Sequence, residues 1–278
     1  MACFDNLNVC DYAEEIYTSM LQKEDVQTPT IHQNFSTLNE KTIVCREILI
    51  DWLIQVVGFS GMSQDVLALT IHIIDTALPR MASDLSLLQL LGVAAFRLAT
   101  KYEARITLSL AELVQLTGSC FDKSQILAME SALLKLLDYN LTTVLPSHFL
   151  SRLVALTSPS QKTKTVASLI LESALLSGCY TNYLPSCLAT CSLTLAHLIL
   201  KTSNSDWQLK LQQQSGYTLA YMTDCLNELC INSLDQLVQE DLKAISVKYG
   251  LRDSKSTGCS FAKDIQDGLM DVIQELQL

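Results

Sequence analysis

Apolar residues along the chain recur at spacings of three and four, the period of one helical face, rather than in the alternation of strands. From a start at Cys10-Asp11, Tyr12, Ile16 and Met20 fall at i, i+4 and i+8, with Glu14, Glu15 and Lys23 on other faces. This predicts a short amphipathic helix. Val26 to Asn39 is expected to be an extended connector, broken at Thr28-Pro29-Thr30, because the residue before proline is pushed out of the helical region. From Lys41 onward the pattern predicts helices over 41–58, 64–78, 84–102, 108–116 and 122–138, with breaks at Ser60-Gly61, Pro79, Arg105-Ile106 and Gly118-Ser119. Asp122 is placed to cap the fifth. Tyr139 to Pro146 is a linker. A second set follows at 147–156, 162–177, 185–201, 206–213 and 215–231, separated at Ser158-Pro159, Asn182 to Pro185, Ser203 to Ser205 and Ser215-Gly216. A last helix is expected over 234–248, then a polar tail with one more amphipathic run at Ala262 to Leu276. The expected fold is all-α, with an N-terminal helix and connector (1–40), two tandem five-helix domains (41–139 and 140–232) and a C-terminal helix and tail (233–278).

The Thr42–Phe59 helix carries one apolar stripe more than a surface helix needs. Ile43, Ile50, Leu53, Ile54 and Val57 form the first, together with Arg46. Cys45, Ile48, Leu49 and Trp52 form the second, and Glu47, Asp51 and Gln55 make up a polar strip. Either this is the central helix of a bundle, or the second stripe lines an exposed cleft for a peptide, as exposed apolar patches often do. Arg46, on the core-side stripe, needs an anionic partner, since a lone buried charge is very costly. Asp75, itself inside the apolar run Leu67 to Leu78, is the best candidate. The almost wholly apolar run Leu85 to Leu98 ends in the charged tip Thr100-Lys101-Tyr102-Glu103. Glu130 stands among Ile126, Leu127, Met129, Leu133 and Leu134. It reads either as an exposed helix edge or as a partner of Lys101 across two neighbouring helices.

Composition narrows the function. Hydrophobic residues make up 49% of the 278 residues, and only 9 Gly and 5 Pro occur, which favours long helices over turn-rich sheets. The formal net charge of -10 and the lack of a Lys/Arg cluster argue against nucleic acid and against an anionic membrane surface as partners. The 10 Cys include no C-x-x-C, and most lie in apolar stretches, as do Cys187, Cys191, Cys225 and Cys230. They are expected to be reduced core thiols in the cytosol or nucleus. No signal peptide is evident, and Leu184 to Leu200, though uncharged, is expected to be a helix buried on all sides. His32, His72, His148 and His197 show no zinc spacing, and no phosphate loop or G-x-S-x-G is present. No catalytic residue, metal or cofactor is expected.

Cys45-Arg-Glu-Ile-Leu-Ile-Asp-Trp-Leu53 resembles the cyclin-box motif M-R-x-I-L-x-D-W-L. Leu88-Gln-Leu-Leu-Gly92 resembles L-Q-L-x-G, Ala99-Thr-Lys-Tyr-Glu103 resembles A-S-K-F-E, and Met129-Glu130 resembles the M-E of the fifth helix. Leu145-Pro146 with Phe149-Leu150 is similar to the opening of a second box. Ser215-Gly-Tyr-Thr-Leu219, Lys248-Tyr249 and Asp11-Tyr-x-x-Glu-Ile16 resemble segments of A/B-type mitotic cyclins. The resemblance covers nearly the whole chain, with Arg46, Asp75, Leu90, Lys101 and Glu130 at the defining positions. It implies two cyclin boxes and a regulatory subunit, not an enzyme, that binds and activates a cyclin-dependent serine/threonine kinase in the nucleus and cytoplasm.

In that reading Lys101 and Glu130, with Tyr102, Glu103, Tyr12 and Ile16, face the kinase. Cys45, Ile48, Leu49, Trp52, Gln55 and Gln89 form a docking patch for R-x-L peptides of substrates or inhibitors, and Arg46–Asp75 is a structural ion pair. The alternative is a cyclin-fold scaffold that no longer activates a kinase. Departures from the pattern are Cys45 for Met, Gln55 for an acid, Thr76 for Arg and Ala104 for the second acid of K-F-E-E. The segment before Cys10 is shorter than the degradation tail of mitotic cyclins, and the R-x-x-L from Arg46 to Leu49 lies inside a helix. Removal by that route is therefore not expected.

Overall fold

The computed structural model describes residues 12–81, 85–202, 206–238, 243–251 and 258–275. Among them are thirteen α-helices, 3-10 turns at Leu85–Leu87 and Cys179–Asn182, and no strand. The expected helix start at Cys10-Asp11, residue 84, the break at Ser203 to Ser205 and the tail from 252 to 257 lie outside the described residues. The fold groups into two compact units, Met1–Leu38 with Gly61–Leu145, and Asn39–Ser60 with Pro146–Leu278.

The first unit contains α1 (Ala13–Ser36), α3 (Gln64–Met81), α4 (Leu88–Glu103), α5 (Leu110–Leu116) and α6 (Lys123–Leu136). Helix α4 is its centre, packed on α3 and α6. Leu90, Leu91, Val93, Phe96 and Leu98 are all buried, each contributing roughly 1.5–3 kcal/mol by leaving water. The polar tip of α4 is therefore held in place by the apolar body behind it.

Two expected breaks are absent. Helix α1 runs through Pro29 to Ser36, where an extended connector was expected. Proline removes one intrahelical donor and leaves the chain free to continue if other contacts hold it. Gln27 supplies such a contact. Its amide donates to Thr142 O (3.2 Å) and accepts from Val144 N (3.0 Å) and the Thr143 hydroxyl (3.2 Å). Helix α3 likewise passes Pro79 to end at Met81, and the Arg80 guanidinium donates to Leu136 O at the end of α6.

The second unit contains α2 (Glu40–Ser60), α7 (Pro146–Thr157), α8 (Gln161–Ser177), α9 (Pro185–Ile199), α10 (Asp206–Ser215), α11 (Leu219–Val238), α12 (Ala244–Lys248) and α13 (Gly258–Glu275). Helix α9 is surrounded by α7, α8, α10, α11 and α13, which accounts for its uncharged sequence. Among the described residues no helix is long and apolar enough to cross a membrane. The expected helix over 234–248 is corrected. Helix α11 continues unbroken to Val238, residues 239–242 lie outside the described residues, and Ala244–Lys248 forms a separate short helix. Nothing interrupts the chain near 232, where the Asn232 side chain donates to Glu228 O one turn back and Ser233 is buried.

Helix α13 docks through Ile265, Leu269 and Val272, all buried, and Gly268 lies against the end of α9. A Cβ there would lie 2.8 Å from both Ile199 O and Ile199 Cγ2. Gly→Ala in a helix ordinarily stabilises by about 1 kcal/mol. At Gly268 the clash is with backbone, so Gly268→Ala should instead destabilise by about 1–3 kcal/mol. A urea melt in which the variant is more stable than the parent would show that α13 is not packed on α9 as described.

Candidate functional site

The last turn of α4 brings charge out of the core of the first unit. Thr100 is buried, Lys101 and Tyr102 are exposed, and Glu103 is half-buried. Beside it runs α6, started by a capping box in which the Asp122 carboxylate accepts from Gln125 N and the Gln125 amide oxygen accepts from Asp122 N. The inward face of α6 carries Ile126, Met129 and Leu133, and Glu130 lies on the same face, 6% exposed.

Glu130 is held by two cations on α4. Arg97 Nε donates to Oε2 at 2.8 Å, and Lys101 Nζ donates to Oε1. Burial favours the neutral acid, but the two hydrogen bonds and the two positive charges outweigh it and hold the carboxyl below its ordinary value. The glutamate is thus ionised and fixed, and the Lys101 side chain that pairs with it remains 42% exposed. The structure places Lys101 and Glu130 together and makes Arg97 a third member. The sequence reading missed Arg97, although it is the one charged residue in the run Leu85 to Leu98, where a lone cation requires an anion.

Around this pair, Tyr102 Oη shares a hydrogen bond with Thr142 Oγ1 at 3.1 Å. Tyr12 and Ile16, near the start of α1, are 61% and 40% exposed. Gln89 is half-buried on α4, and Asp75 on α3 is 1% exposed.

In the second unit, α2 separates its two stripes only partly. Ile50, Leu53, Ile54 and Val57 are fully buried. On the other stripe Ile48 is 59% exposed, Cys45 and Trp52 are half-buried, and Leu49 is buried. The polar strip is corrected at Asp51, which is buried. Its carboxylate accepts from Ala244 N at 2.8 Å, the first residue of α12, and from the Gln55 amide at 3.0 Å. Gln55 is exposed and tied to Asp51. Arg46 is fully buried, and its guanidinium donates to Leu176 O (2.6 Å) and Leu175 O (2.9 Å) on α8.

Residues 15–142 match the family described as "Cyclin, N-terminal domain", and residues 144–263 match "Cyclin, C-terminal domain". The chain therefore belongs to the cyclin family, whose members are regulatory proteins. It is 30% identical over 273 residues to the G2/mitotic-specific cyclin-B2 of Oryzias luzonensis, which covers 98% of this chain and 69% of the relative. It is 32% identical over 246 residues to human cyclin-A1, covering 88% of this chain and 52% of the relative. The chain thus spans between about half and about two thirds of the length of these relatives. A viral cyclin from herpesvirus saimiri shares the fold with a TM-score of 0.59 at 19% identity, over 76% of this chain and 88% of that one. A chain in the CAK complex of Chaetomium thermophilum bound to ATP-gamma-S gives a TM-score of 0.53 at 14% identity, over 95% and 89%.

Proposed function

We propose that this cyclin binds and activates a cyclin-dependent serine/threonine kinase through the α4–α6 edge. The Lys101–Glu130 pair carries the reading. A buried, ionised glutamate keeps the partly exposed Lys101 side chain in one position, a geometry suited to hydrogen-bonding a partner's backbone. Tyr102, Glu103, Tyr12 and Ile16 flank it. Packing against the kinase αC helix would favour the conformation in which the αC glutamate reaches the ATP-positioning lysine, as active kinases require. The cyclin supplies differential affinity for that state, and the chemistry remains the kinase's. The mitotic names of the relatives, and the likeness of the fold to a chain of a CAK complex bound to ATP-gamma-S, are in keeping with this partner class; action in nucleus and cytoplasm is part of the same proposal.

The partly exposed stripe of α2, with Ile48, Trp52 and Cys45, is proposed to receive substrate or inhibitor peptides of the R-x-L type. Gln55 is uncharged and already donates to Asp51. Peptide binding here is therefore expected to depend more on the leucine than on the arginine.

Lys101 is the residue to test, because removing Glu130 would leave Arg97, 14% exposed, without its carboxylate. Lys101→Ala should weaken kinase binding by about tenfold or more, measured by calorimetry. The chain should stay folded, because Arg97 still pairs with the Glu130 carboxylate. Undiminished kinase binding would leave the scaffold reading in place of activation. Trp52→Ala should spare phosphorylation of a short peptide and slow that of an R-x-L substrate. Equal loss on both would make Trp52 a core residue only.

A further inference from the structure

Three thiols converge in the core of the second unit. Cys187 and Cys191 stand one turn apart on α9, and Cys225 faces them from α11. All three are buried, at 3%, 0% and 1% exposure. The Cys187 and Cys191 sulfurs are 3.9 Å apart, and the three lie within 4.8 Å of one another. With Zn–S bonds of about 2.3 Å, sulfurs around one ion are separated by about 3.8 Å in a tetrahedral site and about 4.0 Å in a trigonal one. The Cys187–Cys191 pair already has that spacing. Closing the widest pair requires a shift of less than about 1 Å, within the reach of rotamer adjustment.

One of the three thiols lies in the first turn of a helix. Cys187 is the third residue of α9, after Pro185 at its start, where unpaired backbone N–H groups favour negative charge. The segment Asn182 to Pro185 beside it is exposed or partly exposed. A search for C-x-x-C overlooks such a set, because the pair on α9 has helical i, i+4 spacing and the third cysteine comes from another helix.

We propose that Cys187, Cys191 and Cys225 form a three-thiolate site for a soft, thiophilic divalent cation of the zinc class. Binding displaces thiol protons to solvent and forms metal–sulfur bonds, with no change of oxidation state. The ion cross-links α9 to α11 at the core of the second unit and leaves one coordination position for water.

Cadmium chloride titrated into the reduced full chain tests this through the ultraviolet thiolate-to-cadmium absorption. The band should saturate at a single equivalent and recede when zinc is added. Ser at Cys187, Cys191 or Cys225 should each weaken binding by about tenfold or more. The Cys45→Ser/Cys120→Ser variant, which removes an exposed and a half-buried thiol, should titrate like the parent. A second readout uses the unaltered chain in urea just below its unfolding transition. Zinc should slow alkylation of these three cysteines, followed residue by residue by mass spectrometry. A band that survives Cys225→Ser, a band lost with Cys45 and Cys120, or alkylation indifferent to zinc would each overturn the site.

Discussion

Arg46→Met should lower the unfolding free energy by about 3–5 kcal/mol, the range for breaking a buried charged network. Methionine keeps most of the packing volume, so the loss isolates the guanidinium. That group lies fully buried and donates to Leu175 O and Leu176 O. These carbonyls are in the last turn of α8, which ends at Ser177 with Gly178 in the left-handed conformation. The last four carbonyls of a helix have no intrahelical partner, and a cation there also meets the negative end of the helix dipole. Removing the guanidinium leaves two buried acceptors unsatisfied, at about 1–3 kcal/mol each. Arg46→Lys should recover only part of the loss, because one ammonium replaces a planar fork that reaches both oxygens. Urea denaturation measures both variants. A change under about 1 kcal/mol for Arg46→Met would mean that water satisfies the carbonyls and the arginine is dispensable.

That arrangement shows where sequence reasoning stops. The helical period on α2 marks Arg46 as inward-facing and hence in need of partners. It does not reveal that two of them are main-chain oxygens 129 and 130 residues away, because a carbonyl has no side-chain signature. Lys101 and Glu130 were legible for the opposite reason: Lys101 ends an apolar helix and Glu130 stands among the apolar residues Ile126, Met129 and Leu133. Asp51 was placed in a polar strip with nothing to mark it as buried, since its partner is again backbone, the Ala244 N–H. Helix α1 was cut short at Pro29 because local propensity was allowed to decide. A glutamine two residues earlier, bonded to the 142–144 segment, overrides it. The body of each long helix was legible from period alone. Its ends, and the short α12, depended on tertiary contacts that no window of residues contains.

Helix α12 provides the other large effect. Lys248 Nζ donates to Glu172 Oε1 at 2.5 Å, and Glu172 on α8 is 1% exposed, whereas the lysine side chain is 26% exposed. Burial raises the Glu172 carboxyl above its ordinary value, more than the Lys248 charge and the hydrogen bonds from Lys248 and Tyr249 lower it. Lys248→Met should therefore cost about 3–5 kcal/mol at pH 7, by leaving a buried carboxylate without its cation. The pH dependence has a definite sign. An acid whose folded pKa is raised binds more protons folded than unfolded between the two values. Its favourable contribution is complete below the unfolded value, about 4.3, and is lost as pH rises through the folded value. Removing Lys248 raises the folded value further. The deficit of Lys248→Met should thus shrink as pH falls from 7 toward 5, by up to about 1.4 kcal/mol per unit. Lys248→Met/Glu172→Gln, with no charge to bury, should regain most of the loss at pH 7 and show little of this dependence. Denaturant melts of both variants at several pH values separate a charge effect from lost packing. If the deficit is the same at pH 5 and pH 7, and the glutamine fails to restore stability, then the aliphatic stem of Lys248, rather than its ammonium, is what holds α12 on α8.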